Sequence, residues 1–166
     1  MRSDRPRTPT YYLAAVLGVL IFIALLPVIL PFLALYGLHY WLWGSFLKWR
    51  FRRTWGACGK MGVLVYSDSP HWKEYIESAI LPRVADRVVT VNWSLRAQWK
   101  HAAPLEVQVF RHWSGSREYN PIAIIVPRRG RVQIIRFWQA FRDYKHGRPG
   151  PLETQQGLLF RVLEAA

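Results

Sequence analysis

The chain has 166 residues, 51% of them apolar, 15% aromatic and 20% charged, which suits one domain of ordinary size and little more. Lys and Arg number 23 against ten Asp and Glu, a net charge of +13, and the single cysteine excludes an internal disulfide framework and a four-ligand zinc site built on cysteines. Eleven Pro and eleven Gly, scattered along the chain, are too few for a collagen-like or disordered protein.

A short basic tail, residues 1–10, comes first. From Tyr11 to Leu47 there is no charged side chain, and the strongly polar ones are His39 and Ser45. As a helix this run would measure about 55 Å, well beyond the roughly 30 Å hydrocarbon core of a bilayer. Tyr11 and Tyr12 at one end, and Tyr36, Tyr40, Trp41 and Trp43 at the other, mark interface belts around Leu13–Leu35. That inner stretch, about 35 Å as a helix, spans a bilayer with modest tilt. Pro27 and Pro31 each remove a backbone donor. Two halves folded as a hairpin are the alternative, opposed by the cost of unpaired turn backbone in lipid. A cleaved signal peptide fits less well, because the apolar core is too long and no A-x-A site follows it. Residues 48–60 then read as a basic juxtamembrane linker in which Lys48, Arg50, Arg52 and Arg53 face lipid phosphates. Three Arg precede the span and four Lys or Arg follow it, a thin margin for the positive-inside rule. The expected location is the plasma (inner) membrane, with the C-terminal domain in the cytoplasm.

Residues 61–166 read as an α/β domain. Met61–Tyr66 is a short β-branched run, hence a buried strand, followed by Ser67-Asp68-Ser69-Pro70. Ser69 and Pro70 predict an N-cap and first turn, with Trp72, Tyr75, Ile76, Ala79 and Ile80 on one helical face until Pro82 ends or kinks it. Arg87–Trp93 predicts a second strand and Ser94–Lys100 a short helix. Pro104 opens a third predicted strand, Leu105–Phe110. Ile122–Val126 is apolar throughout and predicts a central strand. Residues 127–131 form a turn, and Val132–Phe137 pairs back as a hairpin. Helices are expected from Trp138 to Lys145 and from Leu152 to Leu163, separated by a break at 147–151. The order β-α-β-α-β-β-β-α predicts a Rossmann-like mixed sheet, or alternatively a thioredoxin-like one, with a parallel start and an antiparallel hairpin. No Cys-x-x-Cys follows the first strand, so thioredoxin redox chemistry is not expected.

The candidate ligand site is the carboxyl edge of the parallel strands: Asp68, Ser69 and His71 after the first, Asn92 after the second, His112 after the third. Helix N-termini attract anions there, although Ser, Asp and Asn at such places often serve only turns and caps. The glycine-rich stretch 56–62 precedes its strand, so it is no phosphate loop. The five histidines lack ligand spacing, so neither a metal nor a cofactor is expected. Residues 48–166 hold 20 of the 23 Lys and Arg and nine of the ten Asp and Glu, and so carry +11. Arg128, Arg129 and Arg131 in the hairpin turn are the candidate contacts with an anionic surface, and anionic lipid headgroups are the nearest partner. A protein partner is the further option, and nucleic acid has only charge in its favour, without a recognition motif. Together these features lead to a non-catalytic, membrane-anchored domain that binds a phospholipid surface or a phosphorylated ligand. A transferase or hydrolase acting on a nucleotide or phosphorylated substrate at the strand edge is the alternative.

Overall fold

A computed structural model describes residues 9–100, 103–116 and 118–166 of the chain. Helix α1 runs from Pro9 to Thr54 without interruption, with Pro27 and Pro31 inside it. It is one helix near the N-terminus that is long and apolar enough to cross a membrane. The hairpin alternative for the apolar segment is therefore not the conformation observed. The chain divides into two compact units, one up to Trp43 and one from Gly44 to Ala166.

The second unit is a mixed four-stranded sheet covered on both faces. Its strands are β1 (Gly62–Tyr66), β2 (Val88–Asn92), β3 (Ile122–Ile125) and β4 (Gln133–Arg136), in the order β2-β1-β3-β4. β1 and β2 are parallel, with Gly62 opposite Val88 and Tyr66 opposite Asn92. β3 lies antiparallel to β1 and β4 antiparallel to β3. The two central strands, Gly-Val-Leu-Val and Ile-Ala-Ile-Ile, have no polar side because both faces are buried. Leu64, Ala123 and Ile125 point into one core with α5 (Trp138–Lys145) and α6 (Gly150–Ala165). Val63, Val65, Ile122 and Ile124 point into the other.

The first core also takes the connection between β1 and β2. This is a composite helix of α2 (Lys73–Tyr75), a π-helical segment (Ile76–Ile80) and α3 (Leu81–Val84). Pro82 was expected to end or kink it. Pro82 has no N–H for the carbonyl of Ser78, and its ring crowds that carbonyl. The wider π turn just upstream accommodates it, and the helix continues to Val84. Trp72, not Ser69, occupies the N-cap position and makes no side-chain cap bond. Ser69 Oγ instead accepts a long bond of 3.4 Å from the His71 N–H, and the Ser69 carbonyl receives the Lys73 N–H at 3.0 Å.

The second core corrects two expectations. Residues 105–110 are not a strand but the start of α4 (Leu105–Ser114), after a 3-10 helix over Trp93–Lys100. Glu106 in the first turn and Arg111 in the last suit the helix dipole. Leu105, Val107, Val109, Phe110 and Ser114 are all buried. At about 100° per residue they cover more than half the circumference, so the sequence shows alternation instead of a narrow helical stripe. The stretch 48–60 is also more than a linker. It is helical to Thr54, and Leu47 and Phe51 are fully buried against Val63, Val65 and Phe110. A 3-10 turn over Gly56–Cys58 follows, closed by Gly59 at φ +76°. The last break is shorter than expected, since Gly150 and Pro151 already belong to α6.

Phe51→Ala should therefore destabilise the domain like any core truncation, by about 3–5 kcal/mol, measured by urea unfolding of the full chain in detergent. An effect near zero would mean that this end of α1 is not part of the core. Gly62→Ala is expected to cost about 1–3 kcal/mol by overpacking. An added Cβ there would lie 2.6 Å from Ile125 Cδ1 and 2.8 Å from the Ile124 carbonyl oxygen, which the sheet holds in place.

Candidate functional site

The parallel pairing of β1 and β2 brings Tyr66 opposite Asn92, so the residues just beyond both strands share one edge. Asp68 is the hub there. Its Oδ1 accepts from Lys73 Nζ at 2.7 Å and its Oδ2 from Asn92 Nδ2 at 2.9 Å. The Asp68 N–H donates to Ser94 Oγ at 2.9 Å, and the Ser94 N–H donates to Asn92 Oδ1 at 2.9 Å. The carboxylate thus straps the ends of two parallel strands together at an exposed position. Both oxygens are engaged, which is the geometry of a fastening more than of a receptor for a further group.

Ser69 lies beside this network, in the turn before α2. His71 is directed elsewhere, against Trp72 (ring centroids 6.4 Å apart), and lines a small cavity of about 180 Å³ with Trp138 and Phe141. His112 does not reach the edge at all. The segment read as a third strand is α4, which packs on one face of the sheet and carries His112 with it. The ring stacks edge-on with Trp113 at 4.7 Å, and its Nε2 lies 2.5 Å from where a Cβ on Gly44 would be. The structure therefore unites Asp68 and Asn92, adds Ser94 and Lys73, and separates His71 and His112 from them.

The cationic candidates lie at the opposite end of the sheet. Arg128, Arg129 and Arg131 are exposed in the turn between β3 and β4. Salt bridges among the described residues join Lys73 to Asp68, Arg87 to Asp86 and Arg111 to Glu118, and none involves these three. The turn is held from α1: Lys48 Nζ donates to the Gly130 carbonyl, and Arg52 donates to that of Pro127. Lys48 and Arg52 are thus directed into the domain and not towards lipid as expected. Arg50 and Arg53 lie on the other side of the helix, over the rings of Phe46 and Trp49 at 5.7 and 5.5 Å. Beside the turn is a cleft of about 700 Å³ whose lining includes Arg52, Lys60, Arg87 and Arg128. Sequence reasoning missed it, because these residues come from three distant stretches, 52–60, 87 and 128, and no local spacing links them. Elsewhere arginines cover aromatic rings: Arg111 over buried Trp99, in keeping with a guanidinium group capping a core, and Arg142 over exposed Trp138.

Comparison with protein-family models, with curated proteins and with solved structures gives no match to this chain.

Two titrations follow from the geometry. The Lys73 ammonium, and then the Asn92 amide, hold the Asp68 carboxyl below its ordinary value of 3.8. A depressed folded-state pKa gives stability that is complete above the ordinary value and lost as pH falls through the folded one. Asp68→Asn should remove that acid limb from a plot of urea midpoint against pH while leaving the fold intact. Burial pushes His112 below its ordinary 6.5, so the folded domain resists its protonation. Stability should fall as pH drops below about 6.5, and His112→Gln should flatten that part of the curve. An unchanged limb in either variant would contradict the assignment.

Proposed function

We propose that this chain is a single-pass protein of a plasma (inner) membrane whose basic α/β domain faces the cytoplasm and binds an anionic phospholipid surface without catalysing a reaction. The observation that carries this reading is the β3–β4 turn: three exposed arginines on a loop whose carbonyls are fixed by Lys48 and Arg52. Neutral carbonyl partners orient those two cations without cancelling their charge. The outer side of the same helical turns supports the reading. There Phe46 and Trp49 are exposed and each lies beneath an arginine, the side-chain combination favoured at headgroup level. Each cation near such a surface contributes roughly 1 kcal/mol. The accompanying fold reading is thioredoxin-like in preference to Rossmann-like. Two of the three strand pairings are antiparallel, whereas a doubly wound sheet is mostly parallel. The alternative of a transferase or hydrolase at the strand edge loses support because both Asp68 oxygens are already bonded.

Hydrogen exchange of the full chain in vesicles tests the surface. Amides of the β3–β4 turn should exchange more slowly with anionic lipid than with neutral lipid, and the difference should vanish in molar salt, where screening lengths fall to about 3 Å. Replacing Arg128, Arg129 and Arg131 together by Gln should weaken the association by roughly 1 kcal/mol per charge. Equal protection in neutral vesicles would remove the electrostatic account. Orientation has its own test: a reporter active only in the periplasm and fused after Ala166 should stay silent, and strong activity would reject a cytoplasmic domain.

A further inference from the structure

The cleft beside the β3–β4 turn differs from a charged surface because its cations are already in place. Arg52 comes from the end of α1, Lys60 from the turn that follows, Arg87 from the residue before β2 and Arg128 from the β3–β4 turn. Three of them are tied to backbone carbonyls. Arg52 donates to Pro127, Lys60 Nζ to Ala85, and Arg87 to Leu163 at 2.8 Å. These bonds use one donor each and leave the others available. Arg52 Nε is buried and has no hydrogen-bond partner.

The opposing charge is smaller. Asp86 lies 4.0 Å from Arg87 Nε, and Glu164 also lines the cleft. Four cationic side chains against two carboxylates leave a net side-chain charge of +2. The volume of about 700 Å³ lies within the range of small-ligand sites and exceeds what one inorganic ion fills. Cations held by carbonyls lose little further rotamer freedom when an anion arrives, which favours binding.

We propose that this cleft binds a dianionic phosphate monoester, carried either by a lipid headgroup or by a soluble phosphorylated compound. The proposal rests on the reading of the domain as an anion binder; it shares Arg52 and Arg128 with the bilayer contact and adds Lys60 and Arg87. Arg129 and Arg131 lie outside the cleft lining, and Lys60 and Arg87 lie away from the hairpin turn.

The test uses the full chain in nanodiscs. In one arm, neutral phosphatidylcholine discs are titrated with glycerol 1-phosphate and with inorganic phosphate. In the other, discs containing phosphatidic acid are compared with discs of equal charge containing phosphatidylglycerol, a diester. Saturable binding of glycerol 1-phosphate in the first arm identifies a soluble source. Preference for phosphatidic acid in the second, with weak binding in the first, identifies the lipid. Either result supports the site if Lys60→Gln and Arg87→Gln each lower affinity about tenfold, as expected for loss of one charge-assisted hydrogen bond. Glu164→Gln should raise affinity several-fold. Should Arg87→Gln fail to fold, Lys60→Gln and Glu164→Gln carry the test, since Lys60 and Glu164 lie on the surface turn and the exposed side of α6. The proposal is overturned if neither arm shows a monoester preference, or if Lys60→Gln and Glu164→Gln leave affinity unchanged. Because Arg129→Gln with Arg131→Gln acts on the bilayer contact alone, its effect on exchange protection reads the surface proposal separately from the cleft.

Discussion

Burial of Leu47 and Phe51 is the constraint on which the domain depends. A helix that is apolar all round gives no indication of where a span-length apolar segment stops and core residues begin. Here the boundary lies within α1 itself. From Gly44 onward the helix belongs to the domain, and two of its side chains complete the core formed by β1, β3 and α4. Residues 48 and 52 are one turn apart on a helix and so face the same way. That spacing lets Lys48 and Arg52 reach the β3–β4 turn while Phe46, Trp49, Arg50 and Arg53 remain outward. One short amphipathic stretch thus fixes the core, the position of the cationic turn and one wall of the cleft.

The strands that are apolar and β-branched were legible in the sequence, because a run such as Ile122–Ile125 has few other structures available to it. The parallel start, the hairpin and the limits of α5 were legible for the same reason, from turn residues and pattern. Residues 105–110 were not. Their alternation is genuine, but burial on most sides of a helix removes the stripe that would have revealed it, and Pro104 precedes a helix as readily as a strand. The basic residues of 48–53 were visible as charges, yet nothing in the sequence said that two of them would turn inward, since their partners are carbonyls some eighty positions away.

The strand edge shows the same limit from the other side. Adjacency of Asp68 and Asn92 followed from parallel pairing of two strands recognisable by composition. What sequence could not supply was the occupancy of the carboxylate. Lys73 is the first residue of the following helix, and Ser94 closes the ring of bonds through its backbone and hydroxyl. A site that looked open as a set of residue types is a closed circuit of hydrogen bonds. The cleft at the opposite end has the reverse character: its residues look unrelated in sequence, and only tertiary structure gathers their charge.

The pairing of β1 with β3, Gly62 against Ile125, has a consequence for biogenesis. Loop closure over such a separation is slow compared with forming a local helix or hairpin, and a nascent chain emerges from its N-terminus. The apolar helix is therefore delivered long before the central strand β1, which its last turns cover, has found its second partner, β3. Until α4 and β3 are synthesised, Leu47, Phe51, Val63 and Val65 share an uncovered apolar surface. The order of synthesis thus leaves that apolar surface exposed until the sheet, which closes late, covers it.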